Sequence, residues 1–148
     1  MKFNDLMAMK DIYLDSISEP RDNFLCLTFS RSKTSLTPET IKIGEKEIND
    51  VFSMDIDYKL PLIKLEFEWY IGYSIINESF TVLDDYEEYE GRVFRIYNKS
   101  RYLDFIQMGS IATEDYPGPF KHYGIICLNH IVDIVSASEP IVSEVERK

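Results

Sequence analysis

"PLIKLEFEW" (residues 61–69) is the stretch whose reading decides the fold. Ile63, Leu65, Phe67 and Trp69 fall at every second position, with Lys64, Glu66 and Glu68 between them. Successive side chains of an extended chain point to opposite faces. The pattern therefore predicts a half-buried antiparallel strand with Trp69 on its buried side.

The same alternation extends outward in both directions. "DIYLDSI" (11–17) flanks Ile12 and Leu14 with Asp11, Tyr13 and Asp15. "NFLCLTFSRS" (23–32) is apolar on both faces and then polar, as a central strand running out to an edge would be. "VFSMDIDY" (51–58) follows the same grammar, and "GRVFRIY" (91–97) puts Val93 and Arg95 on one side, Phe94 and Ile96 on the other. "KHYGIICLNHIVDIVSAS" (121–138) is β-branched and nearly uncharged, which predicts two buried strands with a tight bend near Asn129-His130. The tail "EPIVSEVERK" (139–148) reads as a last strand or a frayed end.

Helical signals are few. "SRYLDFIQMG" (100–109) spaces Tyr102, Phe105 and Ile106 for one face of a short helix, with Ser100 as N-cap and Gly109 as a stop. A turn is expected at Thr37-Pro38-Glu39. "EDYPGPF" (114–120) reads as a rigid loop, because its prolines cannot donate to a ladder. The fold class expected is mainly β, with α+β as the alternative: one antiparallel, twisted sheet or sandwich with one or two short helices. Its 148 residues suit a single globular domain spanning 1–148, long enough to bury a substantial core.

Charge restricts the function classes. The chain carries 16 Lys and Arg against 26 Asp and Glu, a formal charge of −10. Such a field repels phosphate backbones and anionic headgroups, so the expectation is no nucleic-acid and no membrane partner. The excess is local: residues 51–90 hold ten acids and two bases, and residues 65–91 contain no Lys or Arg. Within that span "LDDYEEYEG" (83–91) packs five carboxylates and two tyrosines together. Like charges this dense repel one another, and a cationic partner relieves them. Interleaved Tyr86 and Tyr89 supply contact area at low entropic cost. The expected partner-binding set is Asp84, Asp85, Tyr86, Glu87, Glu88, Tyr89 and Glu90, supported by Glu66 and Glu68 if those surfaces adjoin. The plainer reading is a solvated loop whose tyrosines cover the core edge.

Signals for chemistry are sparse. No G-x-S-x-G, G-x-G-x-x-G or G-x-x-x-x-G-K-[ST] motif occurs. His122 and His130 are eight residues apart, about 26 Å along one strand, too far to share a metal. No metal site and no cofactor are expected. Cys26 and Cys127 sit in apolar runs and read as reduced thiols filling core space. No signal-peptide or membrane-spanning run is visible, so the expected location is cytoplasmic.

"FRIYNKSRYLDFI" and "FKHYGIICLNHIVDIVS", within residues 92–137, resemble small uncharacterised bacterial proteins of the toxin-immunity type. The resemblance implies a cytosolic antidote that binds one toxin domain and blocks it, and it transfers no site residue. The leading expectation is thus an immunity-type inhibitor, without chemistry of its own, that occludes a basic surface of a partner toxin or nuclease. One alternative is a structural or phage-related β module that self-associates through an edge strand. The other is an enzyme or small-ligand binder with a pocket near His130, Asp133, Asp104 and Tyr102.

Overall fold

In the computed structural model, which describes residues 1–148, the alternating stretches pair into two five-stranded antiparallel sheets and a separate hairpin. In chain order the elements are α1 (Phe3–Leu6), β1 (Ile12–Arg21), β2 (Phe24–Thr34), β3 (Glu39–Ile43), β4 (Lys46–Val51), β5 (Met54–Ile56) and β6 (Leu62–Phe67). There follow β7 (Tyr70–Asn77), a 3₁₀ turn (Glu78–Phe80), β8 (Glu88–Gly91), β9 (Phe94–Lys99), α2 (Arg101–Gly109), β10 (Lys121–Ile126), β11 (His130–Ser136) and β12 (Ile141–Val145). The fold is mainly β with two short helices, as the alternation predicts.

The first sheet runs β1-β2-β6-β12, with β5 paired to the far end of β2. The second runs β7-β11-β10-β9-β8. Register decides which side chains meet. Leu27, Leu65 and Val142 stand side by side across β2, β6 and β12, and Phe29 stands beside Ile63. In the second sheet Phe94, Ile125 and Val132 form one row, and Ile96, Tyr123 and Ile134 another. These two apolar faces share one core with Phe3 and Leu6 of α1. Phe3 packs edge-on against Phe94 and Tyr123, at centroid distances of 5.8 and 5.0 Å. Each fully buried aliphatic or aromatic side chain contributes roughly 1.5–3 kcal/mol by leaving water.

Trp69 departs from the expectation: it is 68 % exposed. The alternation at 61–69 outruns its strand, because β6 stops at Phe67 and the chain turns the corner into β7 of the other sheet. Its backbone fixes that corner instead of its ring. The Trp69 carbonyl accepts from Ala137 N–H at 2.9 Å and Ser136 Oγ–H at 3.1 Å, and its N–H donates to Ser138 Oγ at 3.2 Å. The β11–β12 connection makes the same crossing there, so both crossings are tied together. Cys26 is also not a core residue. It lies opposite Glu66, on the outer face of the first sheet, half-buried and free, whereas Cys127 is buried in the core with its thiol pushed up to about 12 by burial.

The bend at Asn129 has a second task. Its side chain accepts from Leu14 N–H at 2.9 Å and donates to Leu14 C=O at 3.1 Å, beside a bulge between Leu14 and Ser16 that interrupts the β1–β2 ladder. One amide side chain thereby satisfies both backbone groups of a bulged strand.

The outer face of the second sheet carries α2, and two glycines make room for it. A Cβ on Gly72 would come within 2.8 Å of Ile106 Cδ1 and 3.0 Å of the Tyr102 hydroxyl. A Cβ on Gly124 would come within 2.4 Å of the Tyr97 ring. Gly within a strand often marks such a close approach. We expect Gly124→Ala to destabilise the fold by about 1–3 kcal/mol through overpacking. In urea unfolding, a Gly124→Ala/Tyr97→Leu double variant should then lose less than the sum of the two singles.

Candidate functional site

Register on the outer face of the second sheet brings chemistry-bearing residues into rows. The first row holds Gly72, Val135, His122, Tyr97 and Tyr89 on five successive strands. The second holds Ser74, Asp133, Gly124, Arg95 and Gly91. The third holds Ile76, Ile131 and Ile126. Helix α2 covers the first row and leaves the other two beside it.

The helix is seated by a buried line of hydrogen bonds. Ser100 caps α2, its Oγ accepting from Leu103 N–H at 3.0 Å. The same Oγ lies 2.6 Å from His122 Nδ1, and His122 Nε2 lies 2.7 Å from Asp133 Oδ1. The Asp133 carboxylate can only accept, so His122 Nε2–H donates to it, and the Ser100 hydroxyl, with one proton and a second lone pair left, completes the line at Nδ1. Tyr97 stacks on the imidazole at 4.2 Å, and Tyr102 leans on it at 5.7 Å. Ser, His and Asp in line resemble an acyl-transfer triad, but Ser100 and His122 are wholly buried. Neither lines the pocket beside them, so the serine does not face a substrate there, and the chain of bonds positions Asp133.

Asp133 lines a pocket of about 490 Å³ between the second and third rows, α2 and the 80–87 segment. Tyr89, Tyr97, Tyr102, Phe80 and Phe105 give it aromatic walls, and Ile76, Ile126 and Ile131 an apolar floor. Phe105 lies at the mouth, 64 % exposed, whereas Ile106 is the buried residue of the helix; the expected three-residue face is narrower than its spacing suggested. Arg95 also lines the pocket, held flat by bonds to Arg92 C=O and the Tyr97 hydroxyl, with its guanidinium 3.9 Å above the Tyr89 ring.

The acidic stretch forms one border of this pocket, and much of it is tied to the protein's own groups. Asp84 pairs with Arg101, whose guanidinium, together with the Tyr86 N–H, holds the carboxyl below its ordinary range. Glu87 accepts from Arg101 N–H at 3.1 Å. The Tyr86 hydroxyl donates to Asp104, and its ring lies under Lys99 and Arg101 at 4.4 and 4.8 Å. Tyr89 sits beneath Arg95. Glu90 shares the parity of core-side Ile96, on the other side of its strand from Tyr89. Asp85, Glu88 and Glu90 remain exposed, with no Lys or Arg within 4.0 Å.

Glu66 and Glu68 do not join them. Glu66 stands on the outer face of the first sheet beside Lys64, at 3.5 Å, and Glu68 is exposed at the corner after β6. The sandwich therefore separates the two acid groups that the sequence summed into one face. Of the four residues expected around a pocket, Tyr102 and Asp133 line it, Asp104 supports its border through Tyr86, and His130 does not line it. The histidine beside the pocket is His122, hydrogen-bonded to Asp133, because strand parity turns His122 to that face. Sequence reading missed Ser100 as a ligand of His122, and missed Arg95 and Tyr97. One local signal was available: His122 and Gly124 share a parity in "KHYGII", where a glycine marks close approach beside a titratable group.

The class that fold and site define is a two-sheet antiparallel β protein with an aromatic pocket on a helix-covered outer face. No protein-family model, curated protein or solved structure matches this chain. No helix is long and apolar enough to cross a membrane.

Burial pushes the Tyr97, Tyr102 and Tyr123 phenols up to about 12, and Asp133 adds to the shift at Tyr102. An unfolded tyrosine ionises near 10. Neutral phenol is thus favoured by the fold, so this stabilisation is full below about pH 10 and is lost as pH rises toward about 12. Denaturation midpoints should fall through that window, together with a late rise in phenolate absorbance. A midpoint flat to pH 12 would contradict the packing of these rings.

Proposed function

We propose that the chain is a protein-binding module of the immunity type, which occludes a basic surface of a partner such as a toxin or nuclease domain. The observation that carries this reading is the exposed apolar rim of the pocket: Leu83 is 93 %, Phe80 75 % and Phe105 64 % exposed. Large apolar side chains gathered around a concavity, with a polar border, have the anatomy of a partner interface. Asp85 and Glu88 supply the charge on that border. Their role is steering: complementary fields accelerate encounter, and a partner's lysines or arginines would meet carboxylates that this chain leaves unpaired. The electrostatic surface is narrower than the whole run from Asp84 to Glu90, since Asp84, Tyr86 and Tyr89 are engaged by Arg101, Lys99 and Arg95.

The test pairs the native chain with Asp85→Lys/Glu88→Lys, both immobilised and exposed to extract from source cells. A basic protein retained by the native chain, released by salt and lost by the variant is the expected result. Its association rate at low salt should fall on the order of tenfold in the variant and lose most of its salt dependence. Equal retention of the same proteins by both chains would sink this reading.

A second reading, self-association, is favoured by a separate observation. The β3–β4 hairpin is exposed along nearly its whole length, and Ile41, Ile43 and Ile48 share one face of it, with Ile41 opposite Ile48. A two-stranded hairpin alone is marginal in water, and a second copy laid on that face would cover it. If so, light scattering after size exclusion gives a dimer that Ile41→Lys/Ile43→Lys converts to monomer. A native monomer across concentrations rules it out.

A further inference from the structure

Asp133 is a mostly buried carboxylate, with its side chain 14 % exposed. Its sole side-chain hydrogen-bond partner in the chain is His122, whose Nε2–H donates to it at 2.7 Å. Arg95 stands in the same row but two strands away, a backbone spacing of about 10 Å, across side-chain-free Gly124, and its guanidinium is bonded to Arg92 and Tyr97 and lies over Tyr89. No Lys or Arg of the chain comes within 4.0 Å of Asp133. Buried charges are ordinarily paired. Here the missing counter-charge has a place to sit, since the carboxylate borders a cavity with room for an organic group and aromatic walls.

We propose that this pocket receives an organic cation, the ammonium or guanidinium head of a lysine or arginine side chain from the partner, with Asp133 as its counter-charge. Three features select that chemistry. A carboxylate held rigid by a hydrogen-bond relay accepts N–H donors with little reorganisation. Tyr97 and Tyr102, unlike Tyr89 beneath Arg95, have no Lys or Arg of the chain over their rings, and a cation over such a ring gains further attraction once water is excluded. Ile76, Ile126 and Ile131 suit the methylene stem that carries the charge. Among the lining groups, Asp84 and Arg101 neutralise each other, leaving Asp133 and Glu87 against Arg95, so the pocket retains one net negative charge. An anionic ligand would have to oppose it.

This assignment rests on the protein-binding reading above, and its test separates the two. The probes are Nα-acetyl-arginine methylamide and Nα-acetyl-lysine methylamide, with the uncharged citrulline derivative and benzoate as controls, titrated into isotope-labelled native chain. Saturable shifts at the amides of Ser74, Gly124 and Asp133 by the cationic probes alone are the expected result. Asp133→Asn keeps an oxygen to accept from His122 but removes the charge, and should weaken binding by about tenfold. Phe105→Ala, at an exposed position of the pocket mouth, should weaken it several-fold without touching the core, and serves if the Asn variant does not fold. Equal binding of the citrulline derivative, preference for benzoate, or unchanged affinity in both variants would overturn the proposal. Cation binding without any captured partner keeps the pocket assignment and removes the partner. A captured partner with an unresponsive pocket does the reverse.

Discussion

One line of hydrogen bonds threads three elements of this protein. It starts at the Leu103 N–H in the first turn of α2, passes through the Ser100 hydroxyl to His122 on β10, and ends at the carboxylate of Asp133 on β11. Each member is satisfied on both sides by the others, which lets a serine and a histidine be wholly buried without the cost of an unpaired polar group. The helix cap, the imidazole tautomer and the direction of the carboxylate are therefore set together. Everything on the outer face of the second sheet, from the seat of α2 to the pocket beside it, depends on that line.

The sheet accommodates the helix by omission. Gly72 and Gly124 remove the side chains that would hold α2 and the Tyr97 ring away from the backbone. Stacking of Tyr97 on His122 then becomes possible, and Ile106 can reach the sheet. Helix α2 packs over the first row of the face, and Asp133 and the isoleucines border the pocket beside it. The pocket lies between the flank of α2, the sheet face and the 80–87 segment.

Charge behaves differently at the two scales on which it was read. Along the chain, the run from Asp84 to Glu90 holds no Lys or Arg. In space, Lys99 at the end of β9 lies over Tyr86, Arg101 at the start of α2 reaches Tyr86 and Asp84, and Arg95 lies on Tyr89. Much of the repulsion implied by the sequence is thus relieved inside the molecule, and what stays available to a partner is a smaller set around an apolar rim. The aromatic residues of the stretch carry cations of their own chain, a use that the sequence also allows but cannot distinguish from an empty binding surface.

The sequence by itself determined what depends on near neighbours. Period-2 alternation specified β1, β2, β6 and β9 but not β3, β4, β7 or β8, while Asn129-His130 specified the bend between β10 and β11 and Ser100 the start of α2, because strand parity and helix capping are decided within a few residues. Alternation also overreached at Trp69, where only the crossing between sheets, tied down by Ser136 and Ser138, ends the strand. Tertiary structure decided the rest. That His122 rather than His130 meets Asp133, that Cys26 faces outward, and that Glu66 lies on a different sheet from Asp84 all follow from pairing partners and sheet order. Ser100 and His122 are separated by 22 residues, and His122 and Asp133 by 11. Hydrogen bonds over such spans are selected by which strands become neighbours, and no local pattern of residues encodes that choice.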